Sequence, residues 1–233
     1  MILALAAAVA AAASPCPNLV TPQALVCRAL DAQRSGDNQS AAQSFEEAAK
    51  ASSDKDPKTA RMYAAAGNLW IAASQPGKAA LDLDRALALP GLEAEQRGEA
   101  LLDRARAAEA QNDLKTARAR ASEAAATISD DPFYWYFSAA LAIREGDRAT
   151  ATSAIGKALT LAPSDPVILF EAGHVADFNG DDDAARSYWR RAAASDPNGP
   201  AGKAAAKAVE MLGVTPAVKA EASPPRTQPA KTR

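Results

Sequence analysis

The sequence predicts an all-α chain, an α-solenoid of antiparallel helix pairs closed by a C-terminal capping helix. Three observations carry that expectation. The apolar share is 48%, ordinary for a globular protein, but Ala dominates it while Val, Ile and aromatics are scarce, which favours closely packed helices over a sheet. Residues 132–165 match residues 166–199 at one fixed offset: Pro132, Trp135, Ala139, Gly146, Ala151, Ile155, Ala158 and Pro163 recur 34 residues on as Pro166, Leu169, Gly173, Gly180, Ala185, Trp189, Ala192 and Pro197. Each unit also carries an apolar stripe at helical spacing that one helix pair cannot bury alone, so neighbours must stack.

The N-terminus reads MILALAAAVAAAASPCP. Its apolar run is about a dozen residues, short of the roughly 20 that span a membrane, and it ends in small residues that suit signal-peptidase cleavage. Residues 1–14 are therefore expected to be a signal peptide, which places the protein in the periplasm or outside the cell; the alternative is an Ala-rich helix that stays on the chain. No membrane span is expected. Residues 15–21 form a short N-terminal segment. The two cysteines, Cys16 and Cys27, would both survive cleavage. In an oxidising compartment a bridge between them would pin that segment to the first helix. Alternatively, Cys27 is a small buried hydrophobe and Cys16 is free or pairs between chains.

Running the register upstream from 132 gives a unit at 98–131, with Leu101, Ala105, Ala117 and Ala124 in place and Ser129 where Pro is expected. Allowing four extra residues, 60–93 follows with Tyr63, Gly67, Trp70, Ala79, Leu83 and Ala86. A second four-residue insertion, Asp56 to Thr59, separates it from 22–55, which carries Leu25, Ala29, Gly36, Ala41, Phe45 and Ala48. The turns SGDN, EGDR and NGDD link helices within units. Residues 200–212 read as one more helix that caps the last apolar surface. Residues 213–233 are rich in Pro, Lys and Arg and are expected to be a disordered tail.

These positions resemble the tetratricopeptide repeat (TPR) family, in which a large residue at position 4, small residues at 8, 20 and 27, a large one at 24 and Pro at 32 define two antiparallel helices. The resemblance implies a right-handed solenoid over 22–212, five repeats at 22–199 and the capping helix at 200–212, with a concave groove for extended or helical peptides. Carried over position by position, it places Phe133, Tyr136, Ala140, Ile143 and Arg144 on that groove from the fourth repeat. The fifth contributes Val167, Phe170, His174, Asp177 and Phe178. Arg61 and Asn68 follow from the second repeat, and Glu99, Leu102, Arg106 and Glu109 from the third. A subfamily clamps a partner's C-terminal carboxylate with Lys, Asn and Arg. Here Asn68 stands at one such position, but Ala64, Phe133 and Phe137 replace the cations, so that function is not carried over.

Of the chain's three Trp, four Tyr and five Phe, five rings stand consecutively in FYWYF at 133–137. Helical spacing puts Phe133, Tyr136 and Phe137 within one arc, Trp135 beside Ala139 and Ala142, and Tyr134 on another side. Trp135 is expected in the core and the pair Phe133 and Tyr136 on the groove, with Phe137 at its margin. The competing possibility is that these rings only fill the seam between helices.

Other function classes find little support. The net charge is −2, which supplies no basic field for nucleic acid. His174 is the single histidine. Asp177 lies one turn away as a conceivable orienting carboxylate, yet no nucleophile or metal-ligand set accompanies the pair, so no enzyme activity and no cofactor are expected. The run Asp177 to Asp183 has Gly at the fourth place and no closing Glu, so it fails as a calcium loop. The expected partner is a protein or peptide. A structural subunit that oligomerises through solenoid edges is the alternative.

Overall fold

The computed structural model describes residues 16–214. The expected signal segment, 1–14, and residues 215–233 of the expected tail lie outside the described residues. Among the described residues the chain forms eleven α-helices and no strand. They are α1 (Pro22–Arg34), α2 (Asn38–Lys50), α3 (Pro57–Ala72), α4 (Pro76–Ala88), α5 (Ala94–Ala110), α6 (Leu114–Ile128), α7 (Pro132–Glu145), α8 (Arg148–Leu161), α9 (Pro166–Asn179), α10 (Asp182–Ser195) and α11 (Pro200–Val214). The chain divides into two compact units, Met1–Thr127 and Ile128–Arg233.

Helix starts follow two patterns. Thr21, Asp56, Asp131 and Asp165 cap α1, α3, α7 and α9 through their side chains, each with Pro next in the first turn. Proline costs nothing there, because its missing N–H would be unpaired anyway. The second helices α2, α8 and α10 start from Asp37, Asp147 and Asp181, each preceded by a glycine at φ 79°, 77° or 83°. In the other two turns the left-handed position falls to Ser74 (φ 57°) and Asn112 (φ 63°), which is why no Gly-Asp signal marks them in the sequence.

The two four-residue insertions are helical. α3 starts at Pro57, three residues ahead of the expected unit at 60, and α5 at Ala94, four ahead of 98. Asp56 accepts the Lys58 N–H at 2.9 Å, and Gln96 accepts the Glu93 N–H at 3.2 Å, so each insertion becomes an extra first turn with its own cap. At the far end α11 runs to Val214, so residues 213 and 214 are helix rather than tail. The first strong stop signal in the sequence is Pro216, not Gly213.

In the first unit α2 packs on α1 and α3, and α3 on α4 and α5. Leu25, Phe45, Tyr63, Trp70 and Leu83 fill a core whose remaining positions are mostly Ala. Cys16 and Cys27 are joined by a disulfide, Cα–Cα 5.7 Å, that ties the N-terminal segment to α1. Arg28 adds to this by donating to the carbonyls of Pro17 and Leu19 at 2.9 and 3.0 Å. One carboxylate sits inside: Asp82 is 2% exposed and accepts the Trp70 indole N–H at 3.1 Å. Burial, and then the nearby Glu46 carboxylate, push its pKa up to about 6, with Arg85 at 3.6 Å pulling the other way.

In the second unit α7 packs on α8 and α9, α9 on α10, and α11 closes over α10 and α9. One cluster joins Ala139, Ala142, Ile155, Ile168 and Val175; the next joins Leu169, Ala185, Trp189, Ala192 and Ala205, the last from α11.

Candidate functional site

The first-unit candidates serve mainly to stitch α3 to α5. Arg61 is exposed, yet its guanidinium donates to the Gly91 carbonyl at 3.1 Å and pairs with Glu93 at 3.1 Å. Asn68 donates to Asp103 at 2.8 Å, and Arg106 donates to the other oxygen of the same carboxylate at 2.8 Å. Leu102 is 9% exposed, which leaves almost none of its side chain for a partner and removes it from an open groove surface. What this face offers is a charged strip already committed to internal pairs.

The second unit differs. The Asp131 cap orients the start of α7, accepting the Phe133 N–H at 2.8 Å, and Phe133 emerges 46% exposed. Tyr136 meets it edge to face, centroids 6.5 Å apart, and is itself half-buried against the Ala139, Ile168 and Val175 cluster.

The other three rings correct the expected assignment. Tyr134 and Phe137 are buried, while Trp135 is only partly so. The Trp135 indole N–H donates to the Ser129 carbonyl at 2.7 Å, and the Lys157 ammonium lies 3.8 Å from its ring centroid. The indole's polar edge needs a partner, and that partner stands in the turn before α7, so the ring lies along the helix start with one face covered by a cation.

On α9, the Asp165 carboxylate caps the helix by accepting from Val167 and Ile168 at 2.8 and 3.1 Å. The rings of Phe170 and His174 pack with centroids 4.3 Å apart, and His174 meets Trp189 of α10 at 5.7 Å. Trp189 is fixed in turn: its indole N–H donates to the Phe170 carbonyl at 3.0 Å. The carboxylate beside His174 is Glu171, not the expected Asp177. Glu171 Oε2 stands 3.4 Å from Nδ1, with its side chain only 8% exposed. Glu171 lies three residues before His174, and Asp177 three after; the packing of α9 turns the imidazole toward the earlier turn.

Phe178 is half-buried beneath the Arg148 guanidinium at 5.3 Å, and Asn179 donates to Thr152 at 2.9 Å, so this end of α9 is bound to α8. Arg144 is exposed at the end of α7. Asp177 is exposed and, with His174, opens onto a cleft of about 800 Å³ that sequence reasoning missed. Among the described residues, Trp189 of α10 and Lys207, Ala208, Glu210, Met211 and Leu212 of α11 also line it. Among the described residues no group of three His, Cys, Asp or Glu could hold a metal ion, and no helix is long and apolar enough to cross a membrane.

No model of a known protein family matches the chain, and no curated protein matches it. Solved structures do. PilW, a widely conserved type IV pilus biogenesis factor, is 20% identical with a TM-score of 0.65 over 78% of this chain and 81% of PilW. MamA is 18% identical, TM-score 0.59, over 76% and 92%. YrrB, a TPR protein with an unusual peptide-binding site, is 17% identical, TM-score 0.55, over 79% and 91%. At such identities the likeness concerns the fold: this chain has the all-helical TPR solenoid fold.

Proposed function

We propose that this protein is a non-enzymatic interaction module that binds a peptide or protein segment on the face formed by α7 and α9, as an adaptor or assembly factor of the cell envelope. The observation that carries the reading is Phe133. A large ring left 46% exposed, with Tyr136 set edge-on beside it, contributes little to the core yet presents apolar surface that a partner would cover. The TPR fold supports the reading, as does the likeness to one protein with a peptide-binding site and to another that acts in pilus biogenesis. A disulfide between Cys16 and Cys27 fits an oxidising compartment.

The test is photo-crosslinking in intact cells from position 133, with position 160 on α8 as control, followed by identification of the captured protein. The purified partner should bind Phe133→Ala about tenfold or more weakly, with unchanged melting. Equal binding by the variant would remove this face from the reading.

A second reading rests on Leu19, Val20 and Leu30, which are 57%, 82% and 46% exposed at the N-terminal end of the first unit. Exposed apolar side chains at that end suit a structural subunit that self-associates by an edge. Light scattering across a range of concentrations decides: a monomer throughout would exclude it.

A further inference from the structure

We propose that the cleft between α9 and α11 recognises the cationic head of a Lys or Arg side chain on a partner segment, with an adjoining apolar side chain seated on Met211 and Leu212. The inference rests on the reading that the second unit binds such a segment, and it specifies the segment's chemistry. The cleft, about 800 Å³, lies within the range of ligand sites and exceeds what one side chain fills. Its apolar part is the edge of Trp189 with Ala208, Met211 and Leu212, and Met211 is 61% exposed.

The polar part consists mainly of acceptors. Asp177 of α9 and Glu210 of α11 both line it. Among the described lining residues the one cation, Lys207, lies a turn from Glu210 on the same helix. His174 lines the cleft with them, its Nδ1 3.4 Å from Oε2 of the largely buried Glu171 carboxylate. The imidazole is held in place by the Phe170 and Trp189 rings.

Competing occupants fit less well. An anionic ligand would face two carboxylates. A wholly apolar one would strip water from them without compensation. A divalent metal lacks a ligand set among the described residues. An ammonium or guanidinium satisfies the acceptors with charge-assisted hydrogen bonds, and the aromatic edges accept its apolar stem.

The experiment pans a phage-displayed random peptide library on the full chain, then measures a synthetic peptide of the most frequent recovered sequence. Recovered peptides should share Lys or Arg beside Leu, Met or Phe. Replacing that cation by norleucine should weaken binding about tenfold, as should the Asp177→Asn, Glu210→Gln double variant, and added salt should weaken the parent peptide most. Both substituted side chains are exposed, so circular dichroism and melting should be unchanged. Recovered peptides without a cation, or equal binding by the norleucine peptide, would overturn this inference while leaving the peptide-binding reading intact. Retention of no peptide above background would overturn both.

Discussion

The indole of Trp189 lies so close over Gly173 that a Cβ built at residue 173 would stand 2.1 Å from its Nε1. The same indole N–H donates to the Phe170 carbonyl, so one glycine seats the ring that backs both His174 and the α9–α11 cleft. Gly173→Ala gains helix propensity of about 1 kcal/mol but must move a buried Trp, an overpacking cost of about 1–3 kcal/mol. Because the clash falls on a ring held by a hydrogen bond, loss of packing should dominate. A lower urea midpoint is the expected outcome, with a change in tryptophan emission; a midpoint at or above wild type would mean that the ring has room to yield.

Ser74 holds a turn at φ 57° with a side chain that disfavours that region. Gly36, Gly146 and Gly180 do the same work in other helix pairs without the penalty. Ser74→Gly should therefore stabilise the first unit by about 0.5–1 kcal/mol, after allowing for the greater freedom of glycine in the unfolded chain. The check is a urea titration of both proteins. Asn112 is a weaker target, since Asn tolerates the left-handed region better.

Asp82 makes stability depend on pH in a direction opposite to most carboxylates. Its folded pKa is raised from 3.8 to about 6. The stabilising contribution is thus fully present below about pH 4 and is lost as pH rises toward 6, because between those values the folded state holds a proton that the unfolded state has released. Asp82→Asn keeps an oxygen to accept the Trp70 N–H and carries no charge. Relative to wild type it should gain about 2 kcal/mol on going from pH 4 to pH 7. Denaturant midpoints for both proteins at the two pH values give the difference directly; a constant gap would exclude Asp82 as the titrating group. Asp37 and Asp113, whose pKa values are lowered by hydrogen bonds from Ser40 and Thr116, act in the usual sense and cancel in the comparison.

The repeat architecture was legible because it is written at fixed spacing: Gly67 under Leu83 and Gly173 under Trp189 are the small and large partners that the 34-residue register pairs. The starts of α3 and α5 were not, since the register marks helix–helix contacts while caps such as Asp56 decide where the coil ends. Asn68 and Arg61 were readable as helix-face residues, but their commitment to Asp103, Gly91 and Glu93 depends on how α3 and α5 meet, whereas Arg106 pairs with Asp103 one turn earlier on α5 itself. Likewise the α9–α11 cleft needs three helices brought together, and no local motif encodes it. Glu171 was within reach, three residues from His174, though spacing alone favours it no more than Asp177.

Trp135 and Phe133 stand two residues apart, and truncating each should separate packing from presentation. Trp135 is half-buried, its N–H holds the Ser129 carbonyl and its face carries Lys157, so Trp135→Ala loses apolar burial, a hydrogen bond and a cation contact. Full burial of such a ring would be worth about 3–5 kcal/mol on truncation; partial exposure brings the expected loss nearer 2–3 kcal/mol. Phe133 is 46% exposed and meets the edge of Tyr136, and Phe133→Ala should change stability by about 0.5 kcal/mol or less. Thermal melts of the two variants side by side test this. A large loss for Phe133→Ala would make that ring part of the fold, and the exposed aromatic surface would then no longer need a partner to account for it.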